Sequence, residues 1–529
     1  MQVSTPLPTH SKHHSQCTAS FSSWDLKQPH LWDRMAFNST ISLTMVAAAA
    51  QRRRYLAVAQ LRGYLAAAQL REYLAGIAAV VQASTQPIHL VVHCGSLRGT
   101  KLLVDASPEC VHALDGDGLG PAWLAAQGGH ADILALLIMH HVELNAPRHT
   151  NNRYPIHQAA LFGHKKAVEL LLQNGADPDP VSSEGITPLW LAAQEGYHEI
   201  VEMILDCDSA DKKVDLEVQW KTTERRPLHQ AAQRGHLKTT QLLLARGAAY
   251  DPVDSDGVTP LWLSAGHSGN ADLIHELLEA GAKVDVTSYE HNRQPIHQAA
   301  NYGHVEAVRI LLDAGASPTP ENDTFDDSEV SPFLLACESG EVELVNLFLD
   351  RGVDAHMVSK NGKSALHFAA HGGHVAIGRV LIKEGCDVDA REEEEGWPPM
   401  MIAAQEGHLS FVDLLMENNA NIDAEKEGGA TSLWVAAQQG HSDIVKRLLE
   451  AGAKQLSAMP GDRRPIHQAA QRGHLACVKE LLKHSPEEIN KCDNHGFTAL
   501  THASQKNETA HFSVMRYLVS RGAKVIVSM

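Results

Sequence analysis

Arg464-Pro-Ile-His-Gln-Ala-Ala-Gln-Arg-Gly-His474 is the stretch that decides the fold. The same phrase returns as Arg226–His236, with Leu228 in place of Ile. Looser copies run Tyr154–His164 and Gln294–His304. An eleven-residue phrase repeated at that fidelity is a structural module. Its role belongs to the array rather than to any one copy.

Aligning the proline of this phrase gives a register along the chain: Pro87, Pro121, Pro155, Pro188, Pro227, Pro260, Pro295, Pro332, Ala365, Pro399, Ser432, Pro465 and Ala499. Most steps are 33 or 34 residues; the longer ones follow Pro188 and Pro295. The physics of one unit is legible at Thr187–Leu205. Thr187 is a good N-cap, and Pro188 stands where its missing N–H costs nothing. Leu189, Ala192 and Ala193 form the apolar face of a first helix, and Gly196 stops it. Ile200, Val201, Ile204 and Leu205 then form the buried face of a second. Each helix is too short to persist alone, so stacking against neighbours must supply the core.

A period near 33 residues with a T-P-L-H-x-A phrase resembles the ankyrin repeat family. The resemblance covers residues 86–529, in about 13 units with degenerate first and last copies. It implies an all-α repeat solenoid of helix-turn-helix units with β-hairpin fingers. It also implies a concave partner-binding surface made of finger tips and first-helix faces. Ahead of the array, residues 1–50 form a disordered polar leader and residues 51–85 an Ala/Leu/Arg-rich helical segment. The nonamer repeat of residues 51–77 turns opposite faces outward in successive copies, so it makes no long apolar stripe; it is read as a cap on the first repeat.

Departures from the pattern are local. The first unit has Val91-Val92 for Ala-Ala, and Gly99 falls inside its second helix. The unit at Pro260 carries one extra residue before Gly269, and the last unit has Asn507 for the turn glycine. The acidic runs Glu321–Glu329 and Glu392–Glu395 read as solvated loops.

Composition narrows the function classes. The net charge is −18, with +5 in residues 1–85 and hence −23 in the array. Such an array is a poor nucleic-acid binder, since phosphates need Lys and Arg, and it suits solubility and basic partners. The eight cysteines are scattered without a CxxC, which argues for reduced thiols in the cytoplasm rather than a disulfide framework or zinc site. His10, His13, His14 and Cys17 read as a polar tail, because no second ligand pair follows. The basic N-terminus has the composition of a mitochondrial transit peptide, but a loosely selected leader fits it as well. No stretch is long and apolar enough to span a membrane. No P-loop, GxSxG, HExxH or kinase set occurs, so no enzyme and no cofactor is expected.

The units come in two kinds. One has Trp in the fourth place of the phrase (Trp123, Trp190, Trp262, Trp434), with Gly three residues before the proline position (Gly118, Gly185, Gly257, Gly429). The other has His followed by Gln-Ala-Ala (His157, His229, His297, His467). Its turn position holds Asn152, Glu224, Asn292 or Asp462. Asn and Asp tolerate a left-handed backbone, whereas Glu does not readily, so the finger at Glu224 is expected to be reshaped. The His units bring arginines to the tips: Arg153, Arg225, Arg226, Arg293, Arg463 and Arg464. Just before their Gly-His pairs stand Phe162, Arg234, Tyr302 and Arg472. Arginine and aromatic residues dominate binding hot spots, so these ten are the candidate partner-binding residues, suited to acidic segments. The periodic histidines and tryptophans are assigned to packing between units.

The expected function is a monomeric, non-enzymatic scaffold or adaptor in the cytoplasm or nucleus. The phrases TPLWLAAQ and PIHQAAQ also resemble the ankyrin repeat and SOCS box family, which supplies substrate receptors of cullin ubiquitin ligases. That family's box follows the repeats, and only 22 residues follow Asn507 here. A ligase subunit, or the ankyrin portion of a larger enzyme or channel, is the alternative.

Overall fold

The computed structural model describes residues 86–529, apart from 208–212, 291, 320–329, 456–460, 507 and 525–529. The leader, the segment of residues 51–85, the acidic loop at 321–329 and Asn507 therefore lie outside the described residues. Residues Ser84–Met529 form one compact unit.

Every register position read from the sequence, from Pro87 to Ala499, is the first residue of a helix. Thirteen helix pairs follow one another among the described residues. First helices stack on first helices to make an inner layer, and second helices make an outer layer. The unit at Pro188 shows why the sequence folds this way. Thr187 Oγ1 accepts the Trp190 N–H at 3.3 Å, closing one orphan donor of the inner helix Pro188–Glu195. Leu189, Ala192 and Ala193 are fully buried, as are Val201 and Ile204 of the outer helix His198–Asp206. Paired alanines let neighbouring inner helices approach closely.

The inner helix ends on Gly196, at φ +78°, with its N–H on the carbonyls of Ala192 and Ala193. A second constraint acts there. A Cβ on Gly196 would collide with the ring of His236, the Gly-His histidine of the next unit. His236 Nε2 donates to the Gln194 carbonyl at 3.1 Å. Glycine and histidine are thus two halves of one contact between units. It recurs at Gly129 with His164, Gly269 with His304, Gly407 with His441 and Gly440 with His474.

Three expectations need correction. The fingers are not hairpins of paired strands; the described residues hold only three isolated antiparallel bridges, Val358–Ser364, Glu425–Thr431 and Cys492–Thr498. The tip polar groups turn instead to their own turn and to the neighbouring tip. Asp254 Oδ1 accepts the Asp256 and Val258 N–H groups at 2.9 Å, while the Ser255 N–H reaches the Thr223 carbonyl of the previous finger. Glu224 does not reshape its finger. It adopts φ +57°, beside +56° at Asn152, +47° at Asn292 and +48° at Asp462. Its N–H donates to the Trp220 carbonyl at 2.7 Å, and that closed turn holds the left-handed backbone. Nor is the run at Glu392 simply solvated. Glu392 is buried, and its carboxylate accepts the backbone N–H groups of Glu394, Glu395 and Trp397.

The extra residue of the Pro260 unit is absorbed as one π-helical turn, Ser264–Ser268, where the Gly269 N–H donates to the Ser264 carbonyl. Gly99 does not break the helix Leu97–Ala106; it sits close against Val91 and Ser96.

Candidate partner-binding surface

Trp and His in the fourth place of the phrase do the same task. Trp190 Nε1 donates to the Arg225 carbonyl at 3.0 Å, Trp262 to Arg293 at 2.8 Å and Trp434 to Arg463 at 2.9 Å. His157 Nε2 reaches the Ile186 carbonyl at 3.0 Å, and His229 that of Val258 at 3.2 Å. Each acceptor stands two residues before the next register proline. Either ring therefore bonds the same carbonyl of the following finger. Two units depart from this: His467 Nε2 reaches the Lys491 carbonyl, well ahead of the next register position Ala499, and the buried Nε1 of Trp123 has no partner, while the Arg148 guanidinium lies 5.8 Å over its ring.

The tautomer of the phrase histidines follows from the geometry. His157 Nδ1 accepts the Tyr154 N–H at 3.1 Å, and His229 Nδ1 accepts that of Arg226. The ring proton is thus on Nε2, facing the carbonyl of the next unit. Burial disfavours a second proton, and it lowers His157, His229 and His297 to about 4. His157 and His229 are thus neutral structural donors.

The arginines at the tips are engaged inside the chain. Arg153 Nη2 lies 2.7 Å from Glu184 and is buried. Arg225 Nε donates to Asp254 at 2.9 Å, and Arg226 Nη1 to Glu217 at 2.6 Å. Arg464 Nη1 reaches both oxygens of the buried Glu488, at 2.7 and 2.9 Å. Glu184 and Asp254 belong to the Trp-type fingers. The alternation of unit types is therefore also an alternation of charge, and the pairs link successive fingers. Backbone bonds reinforce them: Ser183 N–H to the Asn151 carbonyl, Lys221 N–H to Glu184, and Tyr289 N–H to Asp256. Arg463 offers its carbonyl to Trp434, and Arg293 stands beside Tyr302 and His297.

The four candidates before the Gly-His pairs sit differently. Phe162, Arg234 and Arg472 are exposed, and Tyr302 is half-buried. Arg234 lies 3.7 Å from Glu195 across the surface. Tyr302 stacks near-parallel on His304, with His267 at 6.1 Å on the shoulder raised by the π-helical turn. The ten candidates thus fall into two sets. Six at the tips hold fingers together or lie against the array; four present side chains from the inner helices. The missed signal was the carboxylate partner: the Trp-type fingers that face Arg153 and Arg225 carry Glu184 and Asp254, neither marked by a fixed place in the phrase.

The described residues form no group of His, Cys, Asp and Glu that could hold a metal ion, and none of their helices is long and apolar enough to cross a membrane.

Comparison with known proteins agrees with this architecture. The family model "Ankyrin repeats (3 copies)" matches in overlapping copies from residues 88–182 through 433–528. The Neurospora crassa ankyrin repeat protein nuc-2 is 31% identical over 249 residues, 46% of this chain and 22% of that protein. The human transient receptor potential cation channel subfamily A member 1 is 25% identical over 388 residues, 65% of this chain and 34% of the channel. The Caenorhabditis elegans ankyrin repeat and KH domain-containing protein mask-1 is 30% identical over 312 residues, 56% of this chain and 11% of that protein. The matches thus span about a third or less of these relatives. A crystal structure of the human ASB11 ankyrin repeat domain aligns over 44% of this chain and all of that one, at 28% identity and a TM-score of 0.39. With the family model repeated along the array and a helix starting at every register position, the chain belongs to the ankyrin repeat family.

Proposed function

We propose that this chain is a non-enzymatic scaffold or adaptor that captures partner proteins on its concave face and acts in the cytoplasm as a monomer. The observation that carries the reading is the division of the ten candidates. Phe162, Arg234, Tyr302 and Arg472 stand free of the finger cross-links and share one stripe of the inner helices. The tip residues Arg153, Arg225, Arg226, Arg293, Arg463 and Arg464 form the rim and set the finger spacing. Arg234 and Arg472 favour partners with acidic segments. The greater length of the relatives favours a second reading, in which the array is the partner-binding portion of a longer protein.

The test is capture of acidic partner proteins by the full chain and by F162A/R234S/Y302A/R472S. Loss of capture with helical circular dichroism unchanged supports the concave face. Equal capture by both refutes it. Turnover of a small substrate by the full chain would overturn the non-enzymatic assignment.

A further inference from the structure

The inner-helix stripe holds a second set of residues, left unexplained by the packing. Gln158, Gln230, Gln298 and Gln468 follow the phrase histidine in the four His-type units. They are only 5%, 6%, 7% and 4% exposed. Among the described residues their amides have no hydrogen-bond partner, yet no amide atom is sealed away from solvent. Water reaches these amides in the free chain, but covering one without a partner would cost stability, so four at the same place constrain what can cover them. The Trp-type units show that the position tolerates an apolar residue: Leu191, Leu263 and Val435 are buried there, at 0%, 0% and 1% exposure.

The helix geometry says where these amides lie. Positions i, i+3 and i+4 share one face of a helix. Gln158 therefore lines up with Leu161 and Phe162, Gln230 with Gln233 and Arg234, Gln298 with Asn301 and Tyr302, and Gln468 with Gln471 and Arg472. That is the concave stripe assigned above to partner capture.

We infer that the stripe reads the main chain of an extended polypeptide segment through these glutamine amides. The inference rests on the concave-face reading and names what that face recognises. A side-chain amide offers N–H donors and a carbonyl acceptor without charge, and so can pair both the C=O and the N–H that a peptide unit presents. Arg153, Arg225, Arg226 and Arg464 are already paired with Glu184, Asp254, Glu217 and Glu488, so the floor between the fingers selects by hydrogen bonding. A partner that covered the floor without pairing these amides would leave them desolvated, at a cost it could not recover. An extended strand can pair them; a helix, whose main chain is internally bonded, cannot. Spacing agrees. Gln158, Gln230 and Gln298 stand two units apart, about 16–20 Å at ordinary helix spacings. An extended chain rises about 3.3 Å per residue, so the three rungs meet it every five or six residues. The segment they span is about a dozen residues long.

The experiment uses the full chain and phage-displayed random 16-residue peptides as probe. Selected peptides are synthesised and their binding measured by fluorescence anisotropy. Two variants are compared with the natural chain. Q158L/Q230L/Q298L/Q468L places at each rung the residue type the Trp units carry, and its melting temperature should equal or exceed that of the natural chain. F162A/R234S/Y302A/R472S removes the exposed side chains. The expected result is a loss of about a hundredfold in affinity with the leucine variant, from several hydrogen bonds lost together. N-methylation of the peptide main chain at five- or six-residue intervals should weaken binding to the natural chain and make no difference to the leucine variant. If only the alanine/serine variant loses affinity, the amide ladder is overturned and the concave face stands. If neither loses affinity, both fall. Selection of helical peptides alone, or of none, also overturns the ladder.

Discussion

Acid should dismantle this array from the histidine rungs. His157, His229 and His297 are buried and neutral, with Nδ1 closed by an N-cap N–H or, for His229 and His157, with Nε2 also on the next finger's carbonyl. Burial lowers each from 6.5 to about 4. In the unfolded chain the same rings take a proton near 6.5. Between these values the unfolded state holds more protons, so stability rises with pH and is lost as pH falls from 6.5 towards 4. Each pH unit in that window removes about 1.4 kcal/mol per ring, or about 4 kcal/mol for the three. At pH 5 the loss is about 6 kcal/mol, comparable with the whole stability of many domains. His236, His367, His467 and His474 are lowered by burial too and act in the same direction. Asp179, raised to about 6 by burial, and Asp251, also raised by burial, oppose the trend. The assay is urea unfolding followed by circular dichroism from pH 7.5 to 4.5, with hydrogen exchange to locate the opening. Protection should fail first in the inner helices Pro155–Leu161, Pro227–Gln233 and Pro295–Asn301. The variant H157Q/H229Q/H297Q should be less stable at pH 7.5 but lose much less on acidification. A wild-type midpoint independent of pH, or a variant with the wild-type slope, would refute the reasoning.

Other perturbations separate neighbouring roles. W190F and W123F each empty part of a buried indole site, but only W190F also loses a donor, to the Arg225 carbonyl, so it should cost about 1 kcal/mol more than W123F in the same urea titration. R464S strands the buried Glu488 and should destabilise by about 3 kcal/mol, whereas R472S on the exposed stripe should stay within about 0.5 kcal/mol. Thermal melting of the two variants decides this. G196A meets both a left-handed backbone and the His236 ring and should cost more than about 2 kcal/mol; G247A meets only the left-handed backbone, with open space around it, and should cost about 1 kcal/mol.

The fold was legible because its causes are local and periodic. Proline at N1, threonine at the cap, paired alanines and a closing glycine each act within a few residues, and their recurrence fixed all 13 helix starts. What escaped the sequence acts between units. Arg153 and Glu184 are 31 residues apart, and Arg464 and Glu488 are 24. A surplus of arginine at the tips looks like a binding stripe until the carboxylates of the next fingers are placed beside it. The equivalence of Trp and His was hidden for the same reason. It depends on a shared backbone acceptor, which no side-chain pattern displays. The extra residue of the Pro260 unit was visible, but its π-helical form depends on how a helix absorbs one residue between fixed neighbours.

This division bears on where function resides. A solenoid has no single core, so each unit must bind its neighbours through contacts that recur. Here those contacts consume the phrase histidine, the tryptophan, the Gly-His pair and most tip arginines. A residue that recurs and is satisfied by its neighbour belongs to that structural framework. A residue that recurs and is unsatisfied, or that varies from unit to unit at one place solvent reaches, does not. The glutamines meet the first criterion, and the sequence Phe162, Glu195, Arg234, Ser268, Tyr302, Ser339 along the inner helices meets the second. Both sets lie on one face, so the residues left over from folding converge on the surface where a partner would be held.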